Sequence, residues 1–329
     1  MATDPDDFED EAVLAQEDEV KPQRKWPVLL ELWRRKRDEE SWVVTGADIV
    51  AAIGKAESDL GTRNTANFLK DIVRRKGASA LWPPELIRER ISARQVFGKK
   101  RVFEFVRFPE GVDEAFPDRF GPLDTTPIYD IQSVSLPFFA RRLGRNEESW
   151  LSQVVVNLKL VEAHLAFASA GETAIRDLVH LQTGMKTQPE IDATFIATYA
   201  GADGVEKHIL LTCEAKREKE RLLEEQLRFQ VRAGMNATFA FNNPPVEGVK
   251  PMGIQLVDWQ TERGLERLIY IVEFRTIERK VYETACFSGR KKVTQSSKPD
   301  DEAVFGLELE AVSRGLYRLR PSVAGISFG

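Results

Sequence analysis

Hydrophobic and polar positions change period several times along this chain, and each change marks an element. In residues 26–38 (WPVLLELWRRKRD), Leu29, Leu32 and Trp33 recur at helical spacing and predict a helix. Thr45 is placed to cap a short helix over 46–53, and Thr62 to cap a longer one over 62–76. A third helix is expected from Pro83-Pro84-Glu85, with proline in its favoured first turn. QVFGKKRVFEFVRF (95–108) then reads as two short strands around Gly98-Lys99-Lys100. Further on, ESWLSQVVVNLKLVEAHLAF (148–167) is an amphipathic helix. Residues 191–199 and 208–215, apolar and β-branched, flank a turn-like Ala-Gly-Ala-Asp-Gly and predict a β-hairpin.

After the hairpin, REKERLLEEQLRFQVRAG (217–234) is rich in helix formers. Leu223, Leu227 and Val231 make one stripe that Leu222 widens, and Gly234 is the expected C-cap. ATFAF (237–241), MGIQLVDW (252–259), LIYIVEF, VFGLELEAV and LYRLRP read as further strands. GRKKVTQSSKP (289–299) reads as a basic loop, equally suited to clamping a DNA backbone or to lying on the surface. Between the halves, 109–147 carries Pro109, Pro117, Pro122, Pro127 and Pro137 and reads as a connector poor in regular structure. Its aromatic residues Phe116, Phe120, Tyr129, Phe138 and Phe139 suggest a connector that packs on the domains.

Composition sharpens this division. A length of 329 residues with 42% hydrophobic content suits about two domains with cores of their own. The net charge of −5 hides an asymmetry: residues 1–20 hold nine acidic residues and no Lys or Arg, so the remainder carries +4. Residues 1–22 therefore read as an acidic disordered tail. The expected organisation is that tail, a domain over 23–108, the connector over 109–147 and a larger domain over 148–329.

The chemistry concentrates in the hairpin. Side chains alternate along a strand, so Glu214 and Lys216 share a face with Leu210 and Thr212, while Cys213 and Ala215 point the other way. The return of the hairpin brings Asp192 beside Glu214. Two carboxylates and an ammonium on one patch suit a hard divalent cation and a water made nucleophilic. Cys213 is expected as a packed thiol, and two cysteines exclude a disulfide framework and a zinc site of their own.

Pro189-Glu190 before Asp192, followed by Glu214-Ala215-Lys216 on the next strand and then a charged helix, resembles the PD-(D/E)xK nuclease superfamily over residues 148–275. Here the aspartate sits in Glu-Ile-Asp, two residues later than the family's name suggests. The resemblance implies an α/β restriction-endonuclease-like core, a central mixed sheet flanked by helices. It implies Mg2+ held by Asp192, Glu214 and the Ala215 carbonyl, with Lys216 polarising the attacking water. It also implies a glutamine on the following helix that supports the site. Gln226 matches best by position, and Gln230 flanks the same stripe. A fourth acidic ligand is expected from the helix before the hairpin, with Glu162 one candidate.

The N-terminal helices followed by a hairpin with a basic tip resemble a winged helix-turn-helix domain. In that resemblance, the helix over 62–76 enters the major groove of double-stranded DNA with Arg63, Asn67, Lys70 and Arg74 on one side. Arginine and asparagine make bidentate contacts to guanine and adenine, and Lys99 and Lys100 at the wing tip suit phosphate.

What is absent narrows the function. There is no P-loop sequence, so no nucleoside triphosphate is expected to drive the enzyme. Three scattered histidines do not make a histidine-metal site. No signal peptide and no apolar run near the length of a membrane span occur, so a soluble, cytoplasmic protein is expected. A nuclease core joined to a sequence-reading domain, without a motor, resembles a type II restriction endonuclease. It would cut double-stranded DNA at a short site as a homodimer, one core for each strand. The alternatives are a DNA repair or junction nuclease that reads shape, and a winged-helix transcription regulator in which Asp192, Glu214 and Lys216 are incidental.

Overall fold

The computed structural model describes residues 22–96, 100–144, 147–168, 175–187, 189–200, 204–239, 245–287 and 299–328. The acidic tail, Lys99 and all but one residue of the basic loop over 289–299 lie outside them. The chain divides into two units. The first takes residues up to 115 except 73–76 and 95–98, and the second takes those two short segments together with 116–329.

In the first unit, α1 (Trp26–Lys36) and α2 (Gly46–Lys55) flank the short strand β1 (Val43–Thr45). Thr45 caps α2 as its sequence predicts: its hydroxyl accepts from Asp48 N–H while the Asp48 carboxylate accepts from Thr45 N–H, a reciprocal capping box. Beyond α2 come α3 (Lys70–Val73), α4 (Pro84–Arg88), β2 (Ile91–Gln95) and β3 (Arg101–Arg107), with strand order β1-β3-β2. The core is aromatic. Phe105 meets Trp33 and Phe103 edge-on, with ring centroids 5.4 and 5.1 Å away.

The helix expected over 62–76 does not form. Residues 65–67 make a single 3-10 turn, and α3 is only Lys70–Val73. Two causes are visible. Thr62, Asn64 and Thr65 carry side chains that compete for backbone hydrogen bonds and cost helix propensity. At the other end, residues 73–76 belong to the second unit, where they pair with the chain after Lys216.

In the second unit, a mixed sheet is flanked by helices. Its elements are β4 (Ile128–Gln132), α5 (Phe138–Leu143), α6 (Glu148–Asn157), α7 (Leu160–Phe167), β5 (Ile175–Met185), β6 (Ile191–Ala200), β7 (Glu206–Lys216) and α8 (Glu224–Thr238). They continue through β8 (Val246–Thr261), β9 (Gly264–Phe274), β10 (Ile277–Glu278), α9 (Arg279–Cys286), α10 (Asp301–Phe305) and β11 (Ala311–Arg320). The strand order is β4-β11-β9-β8-β7-β6-β5, with β10 beside β8. The β7–β8 and β4–β11 pairs are parallel and the others antiparallel. The α8 crossover between β7 and β8 is what a parallel pair requires.

The alternation of β7 sets the two layers. Leu211, Cys213 and Ala215 join the core beneath α6 and α7, with Leu151, Val154 and Leu160. On the other face α8 lies close because Gly234 has no side chain: a Cβ there would stand 3.0 Å from Leu210 Cδ2 and 3.2 Å from Val249 Cγ2. Gly234 is therefore an interior helix residue that permits close packing, and not the expected C-cap. Three further expectations are corrected. The helix begins at Glu224 and not 217, because 217–220 form a turn. Residues 237–238 of the expected ATFAF strand end α8. Within VFGLELEAV, Val304 and Phe305 are helical in α10, whose Asp300 cap accepts from Glu302 N–H, and β11 starts only at Ala311.

Candidate active site

The β6–β7 hairpin forms with Ala193 opposite Cys213 and Thr194 opposite Thr212, so Asp192 and Glu214 fall at the end of the same ladder. Asp192 Oδ2 accepts from Ala215 N–H at 2.7 Å, which ties the start of β6 to the end of β7. Glu214 and Lys216 are each 1% exposed. Lys216 Nζ stands 2.5 Å from Glu214 Oε1, donates to the Ala215 carbonyl at 3.0 Å and reaches Glu148 Oε1 at 3.2 Å. Apart from that ammonium, Glu214 Oε1 meets no hydrogen-bond donor among the described residues.

The glutamine of α8 that reaches Glu214 is Gln230. Its side-chain NH2 donates to Glu214 Oε2 and, at 3.1 Å, to the Glu190 carbonyl. Gln226 lies one turn earlier on α8, buried, with no hydrogen-bond partner for its Oε1 among the described residues. Gln230, in the later turn of α8, is the glutamine that bonds Glu214, and no such bond is seen for Gln226 among the described residues. Similarly, the acid that arrives from the helix before the hairpin is Glu148, in the first turn of α6, where a carboxylate also suits the helix dipole. Glu162 sits on α7 and acts instead on the Cys213 thiol, which burial pushes far up, with the charges of Asp192 and Glu162 adding to the effect. Cys213 is a free, buried thiol, as its place on the inner face predicts.

A second carboxylate joins from the turn after β7. Burial raises Glu220 above the usual carboxylate range, and the neighbouring Glu148 charge adds to the rise. Glu148 itself is held below that range: burial opposes ionisation, but the Lys216 ammonium and hydrogen bonds from Glu220 and Lys216 outweigh it. Burial also pushes Glu214 up to about 7 against the pull of Lys216, and raises Asp192 against the Ala215 N–H. Lys216 stays above its ordinary value because Glu214 and Glu148 overcome its desolvation.

Arg74, expected on the DNA-reading helix, is found here. Arg221 N–H donates to the Arg74 carbonyl at 2.8 Å, Lys76 N–H to the Lys219 carbonyl at 3.0 Å, and Arg75 bridges to Glu220. Arg221 braces the same segment through Nε to the Val73 carbonyl at 2.6 Å. The Arg74 charge helps to hold Glu148 ionised, and its Nε is buried without a hydrogen-bond partner among the described residues. The other expected DNA contacts do not share a helix face. Arg63 is exposed before the 3-10 turn, Asn67 ends that turn and Lys70 opens α3, both half-buried. Lys100 is exposed at the turn before β3, with φ +67°.

The oxygen donors Asp192, Glu214 and the Ala215 carbonyl fit a hard cation such as Mg2+, which takes few protein ligands and keeps waters. A buried carboxylate with one oxygen served only by an ammonium fits the same role. Among the described residues, no three His, Cys, Asp or Glu side chains form a ready-made metal cluster. No helix of the described residues is long and apolar enough to cross a membrane. No family model, curated protein or solved structure matches this chain.

Proposed function

We propose that this chain is a Mg2+-dependent endonuclease that hydrolyses phosphodiester bonds of double-stranded DNA at a short sequence, in the manner of a type II restriction endonuclease. The observation that carries the proposal is the buried group at the end of the hairpin: Asp192, Glu214 and Lys216 together, with Gln230 behind Glu214 and Glu148 behind Lys216. A surface hairpin with incidental charges would leave them in water. Burying them is costly unless each is paired, and the pairing is nearly complete.

Asp192, Glu214 and the Ala215 carbonyl are the groups that would hold Mg2+. When bound, the ion lowers the pKa of a water and offsets charge gathering on the phosphate. Gln230 fixes the Glu214 carboxylate so that Oε1 faces inward. Lys216 remains protonated between Glu214 and Glu148, and its ammonium stabilises the anionic phosphate and orients the attacking water. Glu148, kept ionised by Lys216 and Arg74, holds that ammonium in place.

A homodimer belongs to the proposal, since one such core cuts one strand and two related by a two-fold axis cut both. A second reading, a nuclease that reads DNA shape, is favoured by the broken segment over 62–76, which offers no continuous recognition helix. Digesting varied plasmid and phage DNA with Mg2+ and sequencing the ends separates them. Ends at one short sequence support the restriction enzyme, and ends at distorted sites of unrelated sequence support the shape reader. DNA bound but never cut would instead support the transcription regulator.

A further inference from the structure

Several arginines of the second unit have acidic partners. Arg267 pairs with Asp258 at 2.7 Å, Arg275 with Glu310 at 2.6 Å, and Arg318 and Arg320 with Asp130 at 3.3 and 2.8 Å. The helix α5, FFARRL, is different. Phe138, Phe139 and Leu143 are 55%, 72% and 74% exposed, among the largest bare apolar side chains described. Among the described residues neither Arg141 nor Arg142 forms an ion pair, and the Arg142 guanidinium lies 5.5 Å from the Phe138 ring centroid. Helical spacing pairs Phe138 with Arg142 on one side and Phe139 with Leu143 on the next. The two rings stand 5.6 Å apart at 77°, edge to face.

The base of α5 is fixed. The Arg141 carbonyl accepts from Ala324 N–H at 2.7 Å, and the Ala324 carbonyl accepts from Trp150 Nε1 at 3.1 Å. Gly144 passes between these groups, where a Cβ would collide with Trp150 and the Ala324 carbonyl. A cavity of about 240 Å3 between α5 and the start of α6 is lined by Ala140, Leu143, Gly144, Glu147 and Trp150. That volume is below the roughly 300–1,000 Å3 of pockets for drug-sized ligands and suits a single flat ring. The next residue after Glu147 is Glu148, the carboxylate that holds Lys216.

On the basis of the nuclease function above, we propose that α5 is a base-stacking wedge. Phe138 and Phe139 stack on bases unstacked from the duplex beside the scissile phosphate, while Arg141 and Arg142 meet the backbone. Bare rings with unpaired guanidiniums complement a polyanion whose bases carry π faces. Glu147 is the one carboxylate in the cavity lining, and the next residue in the chain is Glu148, which pairs with Lys216. The favoured substrate class is therefore DNA that unstacks easily at the cut: mismatched, nicked or rich in flexible pyrimidine–purine steps.

The test measures binding by anisotropy and cutting with Mg2+ on duplexes with and without a mismatch at the cut. It compares wild type with Phe138→Ala/Phe139→Ala, Phe138→Leu/Phe139→Leu and Phe138→Trp/Phe139→Trp. All the altered positions are exposed, so unfolding temperatures should match. The alanine pair is expected to lose about 5- to 150-fold in affinity, the size of one base–aromatic stack. Leucine should fail to restore it, tryptophan should restore it, and 2-aminopurine at the cut should change fluorescence only with aromatic wedges. Wild-type affinity in the leucine pair, or a changed oligomeric state with unchanged DNA affinity, would overturn the wedge. If wild type cuts and the alanine pair cuts equally, the wedge fails and the nuclease stands. If wild type binds through the rings but never cuts, the nuclease fails and the wedge stands.

Discussion

Replacing Lys216 with Met tests whether the buried charges act as one unit. Met keeps most of the length and removes the ammonium that Glu214 faces at 2.5 Å and Glu148 at 3.2 Å. Breaking a buried pair by removing one partner typically costs about 3–5 kcal/mol, a large share of the roughly 5–15 kcal/mol that holds a domain together. Glu214 limits the loss by taking a proton, since burial already pushes its carboxyl to about 7 with Lys216 present. A carboxyl whose folded pKa lies above its unfolded value destabilises the fold only when ionised. The deficit of Lys216→Met should therefore shrink on going from about pH 8 to about pH 5. Adding Glu214→Gln removes the stranded charge, so the double variant should be more stable than the sum of the singles by about 0.5–3 kcal/mol. Urea unfolding of the four proteins at both pH values measures this. Additive losses within about 0.5 kcal/mol, or a deficit that does not change with pH, would refute the coupling of Lys216 to Glu214.

Gln230→Ala should raise the Mg2+ concentration needed for cutting by about 10- to 100-fold, the usual effect of losing a group that orients a metal ligand. Gln226→Ala should have little effect on that requirement, and titrating both variants with Mg2+ decides between them. His164 is buried between Tyr317 Oη and Ser313 Oγ at 2.8 and 2.7 Å, and burial lowers its pKa to about 4 against the pull of Glu273. Its contribution to stability is complete above its unfolded pKa and is lost as pH falls through about 4. His164→Gln should remove roughly 3 kcal/mol of acid sensitivity, read from unfolding free energies of both proteins across that range. Gly234→Val should cost about 1–3 kcal/mol and lower the unfolding temperature, because its side chain would press on Leu210, Val249 and Thr212.

The hairpin was legible because its signal is local. Alternation over 191–199 and 208–215 fixes which side chains share a face, and that alone puts Glu214, Lys216 and Asp192 together. The Thr45 cap and the Pro84 start of α4 are equally local. Most of the failures are tertiary. Residues 73–76 leave the expected helix to pair with residues 219–221, a contact no local pattern announces. Glu148 meets Lys216 across 68 positions of chain, so sequence could nominate the helix but not the residue. Gly234 looks like a C-cap by type, and only the approach of α8 to β7 shows why it is glycine. For α10 a signal was present and outweighed: Asp300 before Asp301 and Glu302 is a helix start, but the apolar run after it resembled a strand. Strand β5 has mixed alternation with several exposed positions, and it becomes a strand by pairing with β6.

The central claim is that Asp192, Glu214 and Lys216 hydrolyse DNA with Mg2+, and one cleavage assay tests it most directly. Wild type, Asp192→Asn, Glu214→Ala and Lys216→Ala are incubated with plasmid DNA, with Mg2+ or with EDTA, after circular dichroism has shown each to be folded. Cutting by wild type in Mg2+ alone, abolished in all three folded variants, is the expected result. Cutting that survives in folded Glu214→Ala and Lys216→Ala, or that proceeds in EDTA, would contradict it.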